Sequence, residues 1–306
     1  MVTSSSSLKF NRDFNPNTGI AVKIAPNIMR VTAPNASAFT FTGTNSYILG
    51  VDNLALIDPG PDDSNHLLAL LAAIDGRKLS AILLTHTHID HSRLALKLAK
   101  ETNAPIYFGG KHRLSRKKHL FETNHLKNAC DWDLVPDKTL SDGEKLRFGD
   151  VEIKAIATPG HCANHFSFGL IDSPYLFTGD HIMGWNSTLI ATPDGSLSDY
   201  FASLDKVITS NWKKYLPAHG GEIKNSKQHT IALKQHREKR NSQILQALKD
   251  KSLTINELVN IIYPSHKGRT RFAARLTLKA HLEYLLDKGK IASSLSLKGW
   301  KYDSNF

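Results

Sequence analysis

The sequence contains little cysteine: Cys130 and Cys162 are the only two among 306 residues. Two cysteines cannot build the disulfide framework of a small secreted domain, so we expect a reducing compartment, the cytoplasm. The sequence also lacks an apolar run long enough to cross a bilayer, which excludes a transmembrane helix. We expect no membrane partner. Its first ten residues lack a charged segment followed by an apolar one, so we expect no secretory signal there.

The composition is that of an ordinary globular protein, with 41% hydrophobic and 22% charged residues. A chain of 306 residues exceeds the commonest size of a single domain, so two domains are expected. We predict a loose N-terminal tail over residues 1–19, a first domain over residues 20–224 and a second, basic domain over residues 225–306.

Positive charge is concentrated near the end of the chain. The whole chain carries 39 Lys+Arg and 28 Asp+Glu, a net charge of +11. From Asn225 onward there are 16 basic and 6 acidic residues, a balance of +10, which leaves +1 for everything before it. This asymmetry is typical of a surface that attracts a polyanion, although a well-solvated basic surface has the same composition.

Strand and helix patterns alternate through residues 20–222. Short runs at 54–57, 81–84 and 105–108 predict buried strands, and the four-residue spacing of Leu94 and Leu98 predicts a helix. Such alternation is typical of a layered α/β domain.

The basic end of the chain predicts a different unit. A helix over about 228–249 is followed by a capping box at 254–257 and a short helix that stops at Pro264. A third helix is predicted over 269–287, and residues 295–302 alternate like β-structure. Three helices and a terminal β-ribbon predict a winged helix, a relative of the helix-turn-helix.

The stretch 85–91, Thr-His-Thr-His-Ile-Asp-His, lies between a predicted strand and a predicted helix. His86 and His88 are two residues apart, so they cannot form the pair of ligands that a helix presents at four-residue spacing. On a non-helical turn alternate side chains can converge, while Asp90 and His91 project toward a second point nearby. Imidazole and carboxylate are the usual ligands of zinc, so this stretch predicts a metal site.

Three further candidate ligands each follow a predicted strand. His161 lies in Thr-Pro-Gly-His, Asp180 in Thr-Gly-Asp and His219 in Pro-Ala-His-Gly. Open α/β sheets usually carry their chemistry on the loops at strand ends, so we expect these side chains to join the histidines of residues 85–91.

This set of motifs resembles the metallo-β-lactamase superfamily, whose ligands run H-x-H-x-D-H, His, Asp and His in that order. The resemblance covers about residues 20–222 and implies an α/β fold, a four-layer αββα sandwich that holds two metal ions, expected to be Zn²⁺ with Mn²⁺ or iron as alternatives. The implied ligands are His86, His88 and His161 for one ion, Asp90, His91 and His219 for the other, and Asp180 bridging the two.

The resemblance also implies roles around the ligands. Asp90 and Asp180 are expected to be catalytic, beside a hydroxide shared by the two ions. Asp58, in Leu-Ile-Asp-Pro-Gly, matches the family's first acidic motif and is expected to orient a ligand. His165 and His181 are candidates for orienting a ligand or donating a proton, although burial as structural histidines or as walls of the pocket is the simpler interpretation of both.

The end of the chain narrows the resemblance. The Thr-Asn-Ser-Tyr of residues 44–47, the segment 179–185 and the predicted winged helix resemble one branch of the superfamily, which carries a β-lactamase-associated winged-helix domain. That branch includes the mitochondrial single-strand endoribonuclease of animals. The resemblance therefore implies a zinc-dependent phosphodiesterase acting on single-stranded RNA, with the basic C-terminal domain holding the strand.

Two other functions stay open. One is a thioesterase resembling hydroxyacylglutathione hydrolase (glyoxalase II), which would act on a small anionic or thioester substrate. The other is a non-catalytic, zinc-containing nucleic-acid-binding protein, although seven ligands exceed the four of a closed structural zinc site. A homodimer is a further expectation that the sequence leaves open.

Overall fold

In a computed structural model, which describes residues 8–296 and 299–305, the chain forms two large sheets that pack face to face. The first sheet has seven strands in chain order; the first four are antiparallel, and parallel pairing continues from the fourth to the seventh. These strands are β1 (Val22–Ala25), β2 (Ile28–Thr32), β3 (Asn45–Leu49), β4 (Asn53–Ile57), β5 (Lys78–Leu83), β6 (Ile106–Phe108) and β7 (Lys138–Thr139).

The second sheet has five strands. They are β8 (Lys145–Phe148), β9 (Val151–Ala157), β10 (Phe166–Leu170), β11 (Tyr175–Gly179) and β12 (Lys214–Pro217). Their order in the sheet is β12-β11-β10-β9-β8. The pair β11–β12 is parallel and the other pairs are antiparallel.

Helices cover the outer faces of both sheets. The helices of the described residues are α1 (Ser64–Ile74), α2 (Ile89–Ser92), α3 (Ala95–Thr102), α4 (Leu197–Ile208), α5 (Ser226–Leu248), α6 (Ile255–Ile262) and α7 (Gly268–Asp287), with a 3₁₀ turn at Lys127–Ala129. The layer between the sheets is apolar and contains Leu83 from the first sheet and Phe168 and Phe177 from the second. The outer face of the first sheet packs against α1 and α3, and that of the second against α4 and the start of α5. This arrangement confirms the four-layer αββα sandwich.

The C-terminal unit is built from α6, α7 and a small antiparallel sheet. Thr254 and Glu257 form the predicted capping box at the start of α6. The strands of the sheet are β13 (Leu253–Thr254), β14 (Ile291–Ser296) and β15 (Gly299–Ser304), in the order β13-β15-β14. Its core joins α6, α7 and the end of α5. The predicted winged helix is therefore confirmed, and its helices begin and end within two residues of the predicted positions.

Helix α5 belongs to both units. Leu233, near its start, packs into the core beneath the second sheet, whereas Ile244 and Leu248 pack into the winged-helix core. The predicted domain boundary at residue 224 stays a prediction. In the part of the chain described, no helix has both the length and the apolar character needed to cross a membrane.

The predictions for the two ends of the chain differ in detail from the structure. Residues 1–7 of the predicted loose tail lie outside the described residues, but residues 8–19 are held against the first domain. Phe10 packs into the core beneath the second sheet, and the Arg30 guanidinium lies 4.4 Å above the Phe14 ring. Residues 297–298 of the predicted terminal β-structure also lie outside the described part.

Candidate metal centre

Residues 85–91 form the turn between β5 and α2, as the sequence predicts. His86 and His88 lie on the extended part of the turn, and Asp90 and His91 lie in α2, which begins directly after His88. The imidazoles of His86, His88 and His91 are all buried. The other three predicted ligands follow β9, β11 and β12, which end near this turn, so His161, Asp180 and His219 approach it from the second sheet.

Three imidazoles meet at one point of this site. His88 Nδ1 lies 3.0 Å from His86 Nε2 and 2.9 Å from His161 Nε2. Ligands of a tetrahedral zinc ion at about 2.0–2.1 Å are separated by roughly 3.3 Å, so these nitrogens lie close to the spacing of a metal triad.

The remaining ligands meet at a second point. His219 Nε2 lies 3.4 Å from Asp90 Oδ2, and His91 Nε2 lies 3.5 Å from the same oxygen. Asp180 stands between the two points. Its Oδ1 is 3.2 Å from His219 Nε2, and its Oδ2 is 3.6 Å from His161 Nε2. The structure thus brings together all seven predicted ligands.

Each of the five histidines has one ring nitrogen against an oxygen outside the centre, which leaves the other nitrogen facing inward. A neutral imidazole has one donor and one acceptor nitrogen, so an outer acceptor fixes the inner nitrogen as a lone pair. The outer partners are Thr85 Oγ1 for His86 (3.0 Å), Asp194 Oδ2 for His88 (2.9 Å), Asp58 Oδ2 for His91 (3.0 Å), the Leu189 carbonyl for His161 (2.6 Å) and the Gly43 carbonyl for His219 (3.2 Å).

Asp58 holds the turn as well as one ligand. It follows β4 with a left-handed backbone conformation (φ 51°), which turns its side chain toward residues 85–91. Its Oδ1 accepts a hydrogen bond from the Thr85 amide, and its Oδ2 accepts one from Thr85 Oγ1, both at 2.7 Å. Since Oδ2 also faces His91, this carboxylate orients a candidate ligand, which supports the role expected for it.

The two histidines of uncertain role occupy different positions. His165 Nε2 accepts a hydrogen bond from the Asp180 amide at 3.1 Å, and its Nδ1 lies 2.9 Å from Thr158 Oγ1, so it orients the backbone of the candidate bridging ligand. His181 is fully buried, and its ring packs edge-on against Tyr200 at 5.0 Å. Burial lowers the pKa of His181 to about 3, which leaves it neutral.

The structure adds two residues that sequence reasoning missed. Asp194, in the loop before α4, places its two carboxylate oxygens 2.9 Å from His88 Nε2 and 2.8 Å from His112 Nε2. His112 in turn lies 2.9 Å from Thr87 Oγ1. The segment 111–118 reads as a polar basic loop, yet His112 is buried within it. Only the burial of His112 distinguishes it from the other polar residues of this segment, and burial cannot be read from the sequence.

Burial and neighbouring charge shift the pKa values of the histidines in opposite directions in the two halves of the centre. Burial, reinforced by His88, lowers the pKa of His161 to about 4, so this imidazole is neutral. Burial also opposes protonation of His219, but the Asp180 carboxylate outweighs it and raises the pKa of His219 to about 9. In the absence of a cation, the half that contains both carboxylates therefore attracts protons, which is the behaviour of a site suited to positive charge.

The buried atoms at the centre fit a pair of divalent cations. His91 Nε2 and Asp180 Oδ1 are both buried, and in the described part of the chain neither makes a contact with the geometry of a hydrogen bond. Their nearest polar neighbours, at 3.2–3.6 Å, are other candidate ligands. Such atoms are rare unless an ion, water or ligand satisfies them. Nitrogen and carboxylate oxygen are ligands that zinc, iron and manganese accept.

Comparison with known proteins shows which families share this arrangement. Residues 39–219 match the Metallo-beta-lactamase superfamily, and residues 254–300 match the Beta-lactamase associated winged helix domain. The chain is 28% identical over 278 residues to a Beta-lactamase-like protein 2 homolog of Caenorhabditis elegans, which covers 88% of this chain and 87% of that protein. It is 30% identical over 268 residues to an Atrochrysone carboxyl ACP thioesterase of Claviceps purpurea, which covers 84% of this chain and 78% of that protein.

Solved structures show the same fold over nearly the whole chain. A Beta-lactamase domain protein from Burkholderia ambifaria superposes with a TM-score of 0.79 at 19% identity and covers 95% of both chains. A metallo-beta-lactamase family protein from Thermus thermophilus superposes with a TM-score of 0.75 at 24% identity and covers 92% of this chain and all of that one. These similarities extend through the winged helix.

Proposed function

Because the chain belongs to the metallo-beta-lactamase superfamily, we propose that it is a hydrolase with two divalent cations that cleaves phosphodiester bonds of single-stranded RNA. The observation that carries this proposal is the set of five inward-facing imidazole nitrogens around the Asp180 carboxylate. A closed structural zinc site has four protein ligands, and this centre offers seven.

One cation would be held by His86, His88 and His161 and the other by Asp90, His91 and His219, with Asp180 between them. Zinc is the first candidate because imidazole predominates among the ligands, and manganese or iron are the alternatives. Two cations bound there would lower the pKa of a shared water and stabilise negative charge that develops on the substrate.

The protein's own residues fix the geometry for that chemistry. Asp58 and Asp194 orient His91 and His88, and His165 orients the Asp180 backbone. Since the ring orientations are set by these outer contacts, the inward nitrogens keep their positions as the charge on the substrate changes. Asp90 and Asp180 carry the negative charge that balances the cations.

RNA is the substrate that the charge distribution favours. The balance of +10 over residues 225–306 lies on the winged-helix side, while the rest of the chain carries +1. A phosphodiester backbone repeats its negative charge along the strand, so a basic surface beside the centre would hold it.

A thioester is the second candidate substrate, and one specific observation favours it. Relatives that are 28–30% identical to this chain are named as Atrochrysone carboxyl ACP thioesterases. Attack on a thioester carbonyl also develops an anion that two cations can stabilise, so the metal centre does not separate the two substrates.

Parallel assays of one metal-loaded preparation would separate them. We expect cleavage of a single-stranded oligoribonucleotide in the presence of Zn²⁺, loss of that activity on adding a chelator, and recovery on restoring the metal. The Asp180→Ala variant is the control, since it removes the carboxylate between the two points without touching the winged helix. Hydrolysis of thioesters without cleavage of RNA would overturn the RNA proposal and leave the hydrolase standing.

A further inference from the structure

A cleft of about 480 Å³ separates the first domain from the winged helix on one side of the metal centre. Residues 183–189 form one wall, residues 236–240 of α5 and 262–277 form the other, and residues 10–12 reach its edge. The Leu189 carbonyl, in the first wall, lies 2.6 Å from His161 Nδ1, and Thr188 Oγ1 lies 3.2 Å from the same atom. The cleft and the centre therefore share a wall.

All charged side chains that line this cleft are basic. They are Arg12, Arg237, Arg240 and Arg269, and no carboxylate joins them among the described residues. Burial, together with Arg237 and Arg240, lowers the pKa of His236, another lining residue, to about 4. The volume falls within the roughly 300–1,000 Å³ of small-molecule sites, so the cleft has the size and the sign of charge for an anionic group.

Arg237 provides the strongest indication that the cleft binds an anion. Its side chain is only 2% exposed, and in the described part of the chain no carboxylate offsets its charge. Its Nη2 donates to the Thr188 carbonyl, its guanidinium faces the Tyr200 ring, and its Nε has no hydrogen-bond partner there. A buried, uncompensated charge is costly, so a bound anion would stabilise this arrangement.

A second buried donor lines the same cleft. The Trp185 ring stacks on Phe41 at a centroid distance of 4.9 Å, and its Nε1 is buried without a hydrogen-bond partner among the described residues. Across the cleft, the Arg240 guanidinium lies 4.2 Å above the Tyr263 ring. Guanidinium and indole N–H groups suit oxyanions, and the aromatic rings offer flat apolar surface to a sugar or base.

We propose that this cleft binds a phosphate group of the substrate that neighbours the bond being hydrolysed, in RNA the phosphate of the adjoining nucleotide. The RNA source rests on the proposed function, whereas the phosphate site itself rests on Arg237, Trp185 and the charge of the lining. The winged helix would then contribute to substrate binding through α5 and α7 rather than only cover the metal centre.

The test measures binding of adenosine monophosphate and of adenosine to the metal-loaded full chain by calorimetry. Arg237→Ala risks unfolding, so the variant is R240Q/R269Q. The control is K249Q/K251Q, which removes the same charge just beyond the end of α5 and away from the cleft lining. We expect R240Q/R269Q to weaken binding of adenosine monophosphate about tenfold or more and binding of adenosine less than about twofold. The control should stay within about twofold of the unaltered chain for both ligands.

Equal affinity of R240Q/R269Q and K249Q/K251Q for adenosine monophosphate would overturn the phosphate site. Cleavage assays keep this result separate from the proposed function. If the unaltered chain cleaves no RNA but its affinity for adenosine monophosphate still depends on Arg240 and Arg269, the cleft stands and the RNA proposal fails. If RNA is cleaved and R240Q/R269Q changes neither that affinity nor KM, the function stands and the cleft fails.

A third assay distinguishes the source of the phosphate. Acyl thioesters of coenzyme A carry phosphate groups, and the matching thioesters of pantetheine do not. If R240Q/R269Q raises KM for the coenzyme A substrate alone and leaves KM for RNA unchanged, the cleft receives the phosphate of a thioester carrier, and the RNA assignment is overturned.

Discussion

A single carboxylate illustrates how the geometry of the candidate metal centre depends on residues outside it. Burial would by itself raise the pKa of Asp194, but hydrogen bonds from His112 and His88 outweigh it and hold that pKa well below its usual range. Asp194 is therefore charged, and it accepts from His88 Nε2 so that Nδ1 faces the centre. Without this acceptor, the His88 ring would be free to present its protonated nitrogen inward.

We expect Asp194→Asn to lower the affinity for the metal about 10–100-fold, the range found when the outer partner of a histidine ligand is replaced. An amide can donate to His88 and so stabilise the wrong tautomer, which is the physical reason for the loss. The measurement is a titration of zinc against a chelator of known affinity, followed by the cleavage assay at saturating metal.

Asp172→Asn is the matched control, since Asp172 is exposed and its left-handed backbone (φ 55°) also suits asparagine. It should bind zinc as the unaltered chain does. An unchanged zinc affinity in Asp194→Asn would show that the loop before α4 does not orient His88.

At the scale of elements, α7 braces the loop that carries Asp194. Arg116 donates to both oxygens of Glu283 on α7, at 2.6 and 2.9 Å, and Thr192 Oγ1 donates to Glu283 Oε1 at 2.7 Å. Thr192 precedes Asp194 by two residues. Arg116 also forms an ion pair with Glu122. Through Glu283, helix α7 of the winged helix is therefore joined to Arg116 and Thr192, which lie in two loops of the first domain.

A double-mutant cycle tests this contact between the domains. Arg116→Met and Glu283→Gln should each lower the free energy of unfolding by about 1–3 kcal/mol, because each leaves a partly buried partner without its charge-assisted hydrogen bonds. The coupling energy should be about 1 kcal/mol or more, since the two side chains touch. Urea unfolding of the metal-loaded chain gives these values.

Glu238→Gln on the exposed face of α5 is the control for loss of one acidic charge, and it should change stability by less than about 0.5 kcal/mol. Additive effects of Arg116→Met and Glu283→Gln would show that the bidentate pair does not hold the domains together.

The elements that the sequence predicts well are those with a long local pattern. The pattern predicts helix α7 over residues 269–287, and the helix spans Gly268–Asp287, because its apolar positions recur over five turns. The strands β7 and β13 have two residues each and escape prediction, since two residues carry no periodicity. Their existence depends on pairing with β6 and β15.

The candidate metal ligands follow the same rule across the whole molecule. The turn of residues 85–91 and the strand ends at His161, Asp180 and His219 have local motifs, so the sequence is sufficient to find them. The bond from His88 to Asp194 joins residues 106 positions apart, and no local pattern marks the acidic partner. The basic cleft likewise appears only when α5, α7 and residues 183–189 are brought together by the fold.

Since the basic cleft and the candidate metal centre share the wall that contains Thr188 and Leu189, the response to salt should separate the candidate substrates at the scale of the whole molecule. Binding of a single strand releases counterions, so a rise in salt from about 50 to 200 mM weakens binding roughly 2.5-fold for each phosphate that the protein contacts. We expect KM for a single-stranded oligoribonucleotide to rise by that factor for each contact, while kcat stays nearly constant.

R240Q/R269Q should reduce this salt dependence and K249Q/K251Q should not, since both remove two charges and only the first removes them from the cleft wall. Turnover of an uncharged thioester on the same preparation should change little over this range, because screening acts on charged partners. If KM for RNA stayed constant from low to high salt, the strand would not lie on the basic domain. The charge of +10 over residues 225–306 would then serve another purpose than holding the substrate.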